Sequence, residues 1–326
     1  MDGKPIDGAY TLGFDTPDAA HQGWLGSYEE KLAQEKVGVF ASYPDYLQAA
    51  EELYGPDRTE PDSKRIWDYS RDVDGGDFKP VGAHVPTLRQ LDGDCVGAGC
   101  KHAIEERQCY EIAGQFQEER LRPVYVPWLY GVGRTHESLG NGSLGRRAGA
   151  TGAWIAEAAR IFGIVFADDA GIPNYTLDIS QYWGFRGPPQ ACFELAKDNK
   201  VGKTAKLSDT GELRHELINH RPVTIASYQG WRMQPVEWNG LHIFVPSGRF
   251  AHQTVFLDWI DDFGGLAYRK NSWGPDAHGT PLNGEPPGGA WMRSDDIENE
   301  IRRFEPELYA MSLFSGSPGS AAPGIL

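Results

Sequence analysis

The chain has few cysteines, a deficit of basic charge and no long apolar run, and each shortage excludes a class of protein. Four cysteines in 326 residues do not predict a disulfide scaffold. Lys and Arg total 31 against 46 Asp and Glu, a net charge of -15 that would repel a phosphate backbone, so no nucleic-acid partner is expected. No uncharged apolar run reaches the roughly 18 residues that a membrane helix needs. The start lacks the pattern of a signal peptide, which predicts a chain that is cytoplasmic at synthesis.

What the chain does contain is enough apolar surface for a full core, with 40% hydrophobic and 12% aromatic residues. Its distribution predicts three parts. Residues 1–80 are rich in Asp, Glu, Gly and Pro and are interpreted as an N-terminal extension of unknown role. Residues 81–313 hold most of the apolar residues and form the predicted main domain. Residues 314–326 are small, polar and rich in Pro and Gly, which predicts a flexible tail.

Within the main domain, helical patterns come first and strand patterns follow. Apolar residues recur at helical spacing over 95–119, and a second helix is predicted over 152–162. Segments 222–228, 253–260 and 266–271 carry the β-branched and aromatic residues that are typical of strands. Helices followed by strands predict an α+β protein with two lobes.

A metal site is one interpretation of the clustered cysteines. Cys95, Cys100, His102 and Cys109 could supply four zinc ligands. Their spacing lacks the paired arrangement of structural zinc sites, and on one helix positions 95 and 100 would point about 140° apart. We therefore expect reduced thiols, no metal and no cofactor.

Nucleophilic catalysis is the stronger interpretation. A thiol reacts only as thiolate, so it needs an imidazole that takes its proton and a third group that orients the imidazole. Cys95, His252 and Asn271 have the types that these roles require. Cys95 also opens a predicted helix, whose N-terminus favours a thiolate. His242, on another strand-like segment, is the rival base, but no Asn follows it at strand spacing.

These segments resemble the papain-like cysteine peptidases. The stretch from Gln90 to Glu105 is similar to that family's oxyanion-hole Gln, nucleophile and central helix. The segment around His252 resembles its His-containing strand, and 268–274 resembles the next strand and its Asn-Ser-Trp-Gly turn. The resemblance covers about residues 85 to 305. It implies a two-lobed fold, with one helical lobe whose central helix starts at Cys95 and one antiparallel, β-barrel-like lobe.

The resemblance also implies a function and a wider site. Peptide bonds of a polypeptide substrate would be hydrolysed through a thioester on Cys95, and the expected partner is a polypeptide substrate or inhibitor. Gln90 and the Cys95 N–H would stabilise the oxyanion, and Trp273 would shield the His252–Asn271 hydrogen bond. The substrate-binding candidates are Trp273 and three further residues, Tyr130, Gly149 and Gly152.

Departures from the family pattern support an alternative. Val96 replaces the usual Trp or Tyr, and Gln90 lies five residues before the nucleophile where six is common. The alternative is a catalytically silent papain-like module with a structural or binding role, for example in a virion or an envelope.

Overall fold

This computed structural model describes residues 40–114 and 120–314. The described residues contain nine α-helices and one eight-stranded sheet. Residues 1–39 of the predicted extension and 315–326 of the predicted tail lie outside the described residues. The helices are α1 Tyr43–Tyr54, α2 Ile66–Asp72, α3 Cys95–Gly114, α4 Val126–Thr135, α5 Gly152–Ile161, α6 Leu177–Arg186, α7 Ala191–Ala196, α8 Thr210–Ile218 and α9 Ser294–Phe304. None of these helices is long and apolar enough to cross a membrane.

The central helix is α3, and it is buried along most of its length. It lacks a polar face, because even its charged side chains Lys101, Glu105 and Glu106 are almost fully buried. Each such charge needs a partner in the interior. Lys101 pairs with Glu105 one turn along, and Glu106 pairs with Lys270 of the sheet at 3.1 Å. The second of these ion pairs attaches α3, which begins at Cys95, to the sheet.

The sheet has the order β1-β8-β2-β5-β6-β7-β4-β3. Neighbouring strands are antiparallel except for β4 and β7. The predicted α+β class is confirmed. The prediction of a barrel-like lobe is wrong, because the described strands form an open sheet whose edge strands, β1 and β3, do not pair with each other. Its strands are β1 Val201–Lys206, β2 Val223–Trp231, β3 Val236–Trp238, β4 Leu241–Ile243, β5 Pro246–Ile260, β6 Leu266–Lys270, β7 Gly289–Arg293 and β8 Glu307–Phe314.

The pairing of β5 with β6 brings two parts of the predicted site together. A tight turn over Asp262–Gly264 joins these strands, and Gly265 follows it with φ 98°. A Cβ at Gly265 would lie 2.7 Å from the Trp259 ring, so the turn requires glycine there. In the resulting register Val255 faces Lys270. His252 on β5 and Asn271 at the end of β6 therefore lie close to each other.

Residues 40–80 contribute to the core, which their composition did not indicate. Tyr46 of α1 is fully buried among side chains of β1, β2 and α8. Trp67 of α2 is 3% exposed in the largest apolar cluster, where its ring lies 5.1 Å from that of Tyr268 and 5.9 Å from that of Trp291. The domain boundary at residue 80 stays a prediction, but the described part of the extension is packed onto the rest of the fold.

Candidate active site

Cys95 is the first residue of α3 and is fully buried. Its Sγ accepts a hydrogen bond from the backbone N–H of Gln253 at 3.3 Å, so the thiol lies beside the β5 backbone, one residue from His252. Burial raises the pKa of the Cys95 thiol, and the negative charge of Asp94 raises it further, while the Gln253 N–H opposes both. The thiol is therefore protonated in this structure.

His252 and Asn271 form a direct hydrogen bond between Nε2 and Oδ1, 2.6 Å long. Both side chains are buried. Burial lowers the pKa of His252 to about 3, because the low-dielectric surroundings disfavour the imidazolium, although the bond to Asn271 opposes the shift. The imidazole is therefore neutral over the physiological pH range.

A chain of hydrogen bonds determines which nitrogen of His252 carries the proton. His278 Nδ1 lies 2.8 Å from the Met233 carbonyl oxygen, which can only accept, so Nδ1 carries the proton of His278. His278 Nε2 then accepts from Asn271 Nδ2 at 2.9 Å. This turns Asn271 Oδ1 toward the Ser272 N–H, 2.7 Å away, and toward His252. His252 Nε2 must donate to that oxygen, which leaves Nδ1 as the basic nitrogen.

The basic nitrogen is unoccupied. Among the described residues, His252 Nδ1 is buried and has no hydrogen-bond partner. The proton carried by Nε2 is held on the opposite side of the ring by Asn271. The lone pair on Nδ1 can accept a proton, but among the described residues no hydrogen bond joins it to Cys95 Sγ.

Aromatic rings cover the His252–Asn271 pair. The Trp273 ring lies 4.8 Å from the His252 ring at 30°, and it also lies 5.8 Å from the ring of His278. Phe250 lies 5.9 Å from His252, and Trp231 stacks on Trp273 at 6.2 Å. Water is excluded from the bond, which strengthens it in the lower dielectric.

Gln90 lies beside the turn that contains Asn271 and Ser272, and its side chain has two hydrogen-bond partners. Its Oε1 accepts from Ser272 Oγ at 2.6 Å, while its Nε2 donates to the backbone oxygen of Asp92 at 2.9 Å. The Gln90 N–H also bonds to the Ser272 carbonyl. Gln90 is thus held between the turn that carries Asn271 and the segment that leads to Cys95, with one of its two amide hydrogens directed at Asp92.

The three further substrate-binding candidates divide into two places. Gly152 opens α5 beside Gln253, and a Cβ there would lie 2.8 Å from Gln253 Oε1. Tyr130 and Gly149 lie elsewhere: the Tyr130 hydroxyl accepts from the Gly149 N–H at 3.0 Å. All three are buried, and of the three only Tyr130 lines a cleft between α4 and α6.

A cleft of about 890 Å³ opens between α4, α6 and the loop 145–148. Asp92, two residues after Gln90, lies on its wall, whereas Cys95 and His252 do not. We call it the arginine cleft, after four of its side chains. Its lining residues are Asp92, Tyr130, Arg134, Gly145, Arg146, Arg147, Ala148, Asp178, Ile179, Gln181, Tyr182, Gly184, Phe185 and Arg186.

His102 and His242 make different contacts from His252. His102 is packed inside α3, where its Nε2 accepts from the Leu88 N–H at 3.0 Å. The rival base His242 lies on β4 opposite Glu237 of β3, whereas His252 bonds to Asn271 Oδ1. Sequence reasoning missed His278. It lies in an irregular segment between β6 and β7, where no periodicity marks a side chain as buried.

Comparisons with known proteins identify the fold. No protein-family model and no curated protein matches the chain. Among solved structures, xylellain, a cysteine protease from Xylella fastidiosa, matches with a TM-score of 0.50 at 14% identity, covering 70% of this chain and 82% of its own. The cysteine protease and lectin-like domains of Cwp84 from Clostridium difficile match with a TM-score of 0.50 at 13% identity, covering 85% and 60% respectively. The chain has a papain-like α+β fold.

Proposed function

We propose that the chain is a papain-like cysteine peptidase that hydrolyses peptide bonds through Cys95, His252 and Asn271. The observation that carries the proposal is the 2.6 Å bond from His252 Nε2 to Asn271 Oδ1, with Nδ1 left as a free base. The thiol of Cys95 lies at a helix start beside the same strand. These are the nucleophile, base and orienting group that acyl transfer requires.

The proposed reaction uses these three groups in turn. The Cys95 proton passes to His252 Nδ1, and the thiolate attacks the carbonyl carbon to give a tetrahedral oxyanion. Collapse breaks the C–N bond, and the Nδ1 proton goes to the leaving amine, which leaves a thioester on Cys95. Water, deprotonated by Nδ1, then attacks the thioester, releases the acid and restores the thiol.

The oxyanion would be stabilised by the Cys95 N–H and by Gln90 Nε2. One amide hydrogen of Gln90 is directed at the Asp92 carbonyl, so donation to substrate uses the other hydrogen or breaks that bond. One such donor contributes roughly 10² to 10³ in rate. The bond from Ser272 to Gln90 Oε1 keeps the amide oriented with nitrogen away from the Asn271 turn.

Substrate access requires the site to open. Cys95 is fully buried and His252 is 1% exposed, and burial holds both groups in their neutral forms. Exposing the thiol to solvent removes the main cause of its raised pKa, while the same change favours the imidazolium. Opening therefore shifts the pair toward the reactive thiolate and imidazolium.

His278 is proposed as a positioning residue for this reaction. It accepts from Asn271 Nδ2 and is anchored on the Met233 carbonyl. Burial lowers the pKa of His278 to about 4, so above that pH it stays a neutral acceptor. Through Asn271 it keeps the proton of His252 on Nε2 and the lone pair on Nδ1.

Active-site labelling tests the proposal. We expect iodoacetamide or an epoxide probe to modify Cys95 stoichiometrically at pH 6, as mapped by mass spectrometry. The same protein should cleave an unfolded polypeptide. Both activities should be lost in His252→Ala and kept in His242→Ala, a matched control in which the rival histidine is removed. Equal modification of the native protein and His252→Ala, with no cleavage by either, would contradict the proposal and indicate a silent module.

A further inference from the structure

The arginine cleft contains a buried cation without a counter-ion. Arg134 of α4 is 3% exposed, and its hydrogen-bond partners among the described residues are all neutral. Its guanidinium donates to the Tyr130 hydroxyl at 2.8 Å and to four backbone carbonyls. Among the described residues, no carboxylate forms an ion pair with it. The carbonyls belong to Gly145, Arg147, Gly149 and Gly184.

This arrangement satisfies the hydrogen bonds of Arg134 but not its charge. Neutral carbonyls replace the hydration of a guanidinium only in part, and a buried charge without an opposite charge is costly. The positive potential therefore extends into the cleft that Arg134 lines. Three of the five bonds, to the carbonyls of Gly145, Arg147 and Gly149, hold the loop 145–149 in place, so the potential belongs to a formed wall.

Two exposed arginines add to this potential at the rim. Arg146 and Arg186 place their guanidinium groups 4.7 Å and 4.5 Å from the centre of the Phe185 ring. The ring positions both groups while leaving their donors available. Neither forms an ion pair with a carboxylate of the described residues. Two aspartates, Asp92 and Asp178, also line the cleft, so the arginines outnumber the carboxylates.

We propose that the arginine cleft binds an acidic side chain of the polypeptide substrate, an inference that rests on the proposed peptidase function. The chain as a whole has a net charge of -15, so a cleft with excess positive charge attracts anions that the rest of the surface repels. Guanidinium groups recognise carboxylates through paired, charge-assisted hydrogen bonds. Tyr182, 61% exposed, and the Phe185 ring supply apolar surface for the adjoining part of a peptide.

The cleft is joined to the proposed catalytic site by two short segments. Asp92 lines the cleft, and its carbonyl holds the Gln90 amide. On the opposite side, the loop 145–148 runs through Gly149 directly to Gly152 at the start of α5, beside Gln253. Both walls of the cleft therefore continue, within a few residues, into segments that contact the proposed catalytic site.

A peptide series tests the inference. One Glu is moved through an Ala-rich fluorogenic peptide, and each peptide has a matched partner with Gln. At one position we expect kcat/KM to be roughly tenfold higher for Glu than for Gln, the magnitude of one charge-assisted hydrogen bond at a partly exposed site. The preference should weaken at high salt. It should be lost in Arg146→Gln/Arg186→Gln and kept in Arg302→Gln/Arg303→Gln, which removes the same charge from the exposed face of α9.

A binding measurement separates this inference from the proposed function. Fluorescently labelled members of the series are titrated with the full chain carrying Cys95→Ala. Tight binding of the Glu peptide that needs Arg146 and Arg186, without cleavage by the native protein, would support the cleft and overturn the peptidase. Cleavage with equal kcat/KM for Glu and Gln at every position would overturn the cleft and leave the peptidase. If the Glu peptides are neither bound nor cleaved, both the peptidase function and the acidic-side-chain site in the arginine cleft are overturned.

Discussion

Asn271 donates through Nδ2 to Nε2 of His278 at 2.9 Å, so a second histidine orients the amide that orients His252. Without His278, rotation of the amide would exchange Oδ1 and Nδ2 at little steric cost. The Ser272 N–H, 2.7 Å from Oδ1, opposes that rotation from one side. His278 opposes it from the other, because its Nδ1 proton is held by the Met233 carbonyl.

Removing this acceptor should loosen the proposed catalytic pair. In His278→Ala, Asn271 Nδ2 becomes a buried donor without a partner, which costs about 1–3 kcal/mol. We expect the rate of Cys95 alkylation to fall roughly tenfold, the equivalent of about 1.4 kcal/mol. Nitrogen NMR of the His252 ring should show that the proton is no longer confined to Nε2.

His278→Gln is the matched control, since a glutamine oxygen can accept from Asn271 Nδ2. It should recover most of the alkylation rate and the Nε2 tautomer. A merely space-filling role for His278 predicts something different: both variants would lose stability, and the tautomer of His252 would be unchanged in each.

The charge of Asp94 should control the reactivity of Cys95 as the pH rises. Asp94 is buried, and burial raises its pKa to about 7, although the hydroxyls of Ser180 and Tyr175 donate to it. Below pH 7 the carboxyl is therefore mostly neutral. Above pH 7 it ionises, and its charge opposes the thiolate of Cys95.

Asp94→Asn should therefore alkylate at Cys95 faster than the native chain above pH 7 and at the same rate at pH 5.5. The expected gain is roughly threefold to tenfold, because removing the charge of Asp94 lowers the pKa of the Cys95 thiol. Asp92→Asn removes the same charge two residues away and should change little. A rate difference that is constant from pH 5.5 to 9 would show that Asp94 acts through packing instead of charge.

Part of the site could be predicted because its residues lie on regular elements. The helical spacing after Cys95 and the strand patterns around His252 and 266–270 depend on local sequence. Two strand patterns separated by a short turn predict neighbours in a sheet, and that adjacency puts His252 beside Asn271. The α+β class follows from the same local patterns.

The rest depends on contacts between residues distant in sequence. His278 and Met233 are 45 residues apart in sequence and form a hydrogen bond, and no periodicity in either segment predicts this contact. Trp67 occurs in a polar, Pro-rich stretch, so its burial follows from a surface that residues 268 and 291 provide. The open sheet likewise depends on which strands meet: β8, from the end of the described chain, inserts between β1 and β2.

Gly152 should tolerate no side chain, because the space beside it is filled. An added Cβ would lie 2.8 Å from Gln253 Oε1 and 2.9 Å from Glu307 Oε2. Glu307 cannot move freely, since it accepts from the N–H groups of Gly152 and Ala153 at the start of α5. We expect Gly152→Ala to lower the free energy of unfolding by about 1–3 kcal/mol.

Urea denaturation measures this loss, with Gly211→Ala as the comparison. Gly211 is an exposed residue of α8, where Ala raises helix propensity by up to about 1 kcal/mol. The same substitution should thus be neutral or stabilising there. Gln253 donates to Cys95 Sγ and to the Val96 carbonyl oxygen, so Gly152→Ala should also alter the alkylation rate of Cys95. If the stability of Gly152→Ala is unchanged, Gln253 and Glu307 can move away from the added methyl group, and the prediction is wrong.

Trp67 should be as important to stability as a residue of the main domain, although it lies in the predicted extension. Its ring packs edge-on against Tyr268 and Trp291 and is 3% exposed. Trp67→Ala would leave a cavity between α2 and the sheet, and we expect it to lower the free energy of unfolding by about 3–5 kcal/mol. Leu53→Ala, in α1 at 49% exposure, should cost less than about 1 kcal/mol. A single urea transition shifted to lower concentration in Trp67→Ala would place residues 66–72 in the same folding unit as the sheet. If Trp67→Ala unfolds at the same urea concentration as the native chain, residues 66–72 fold separately from the sheet, and the predicted domain boundary at residue 80 is supported.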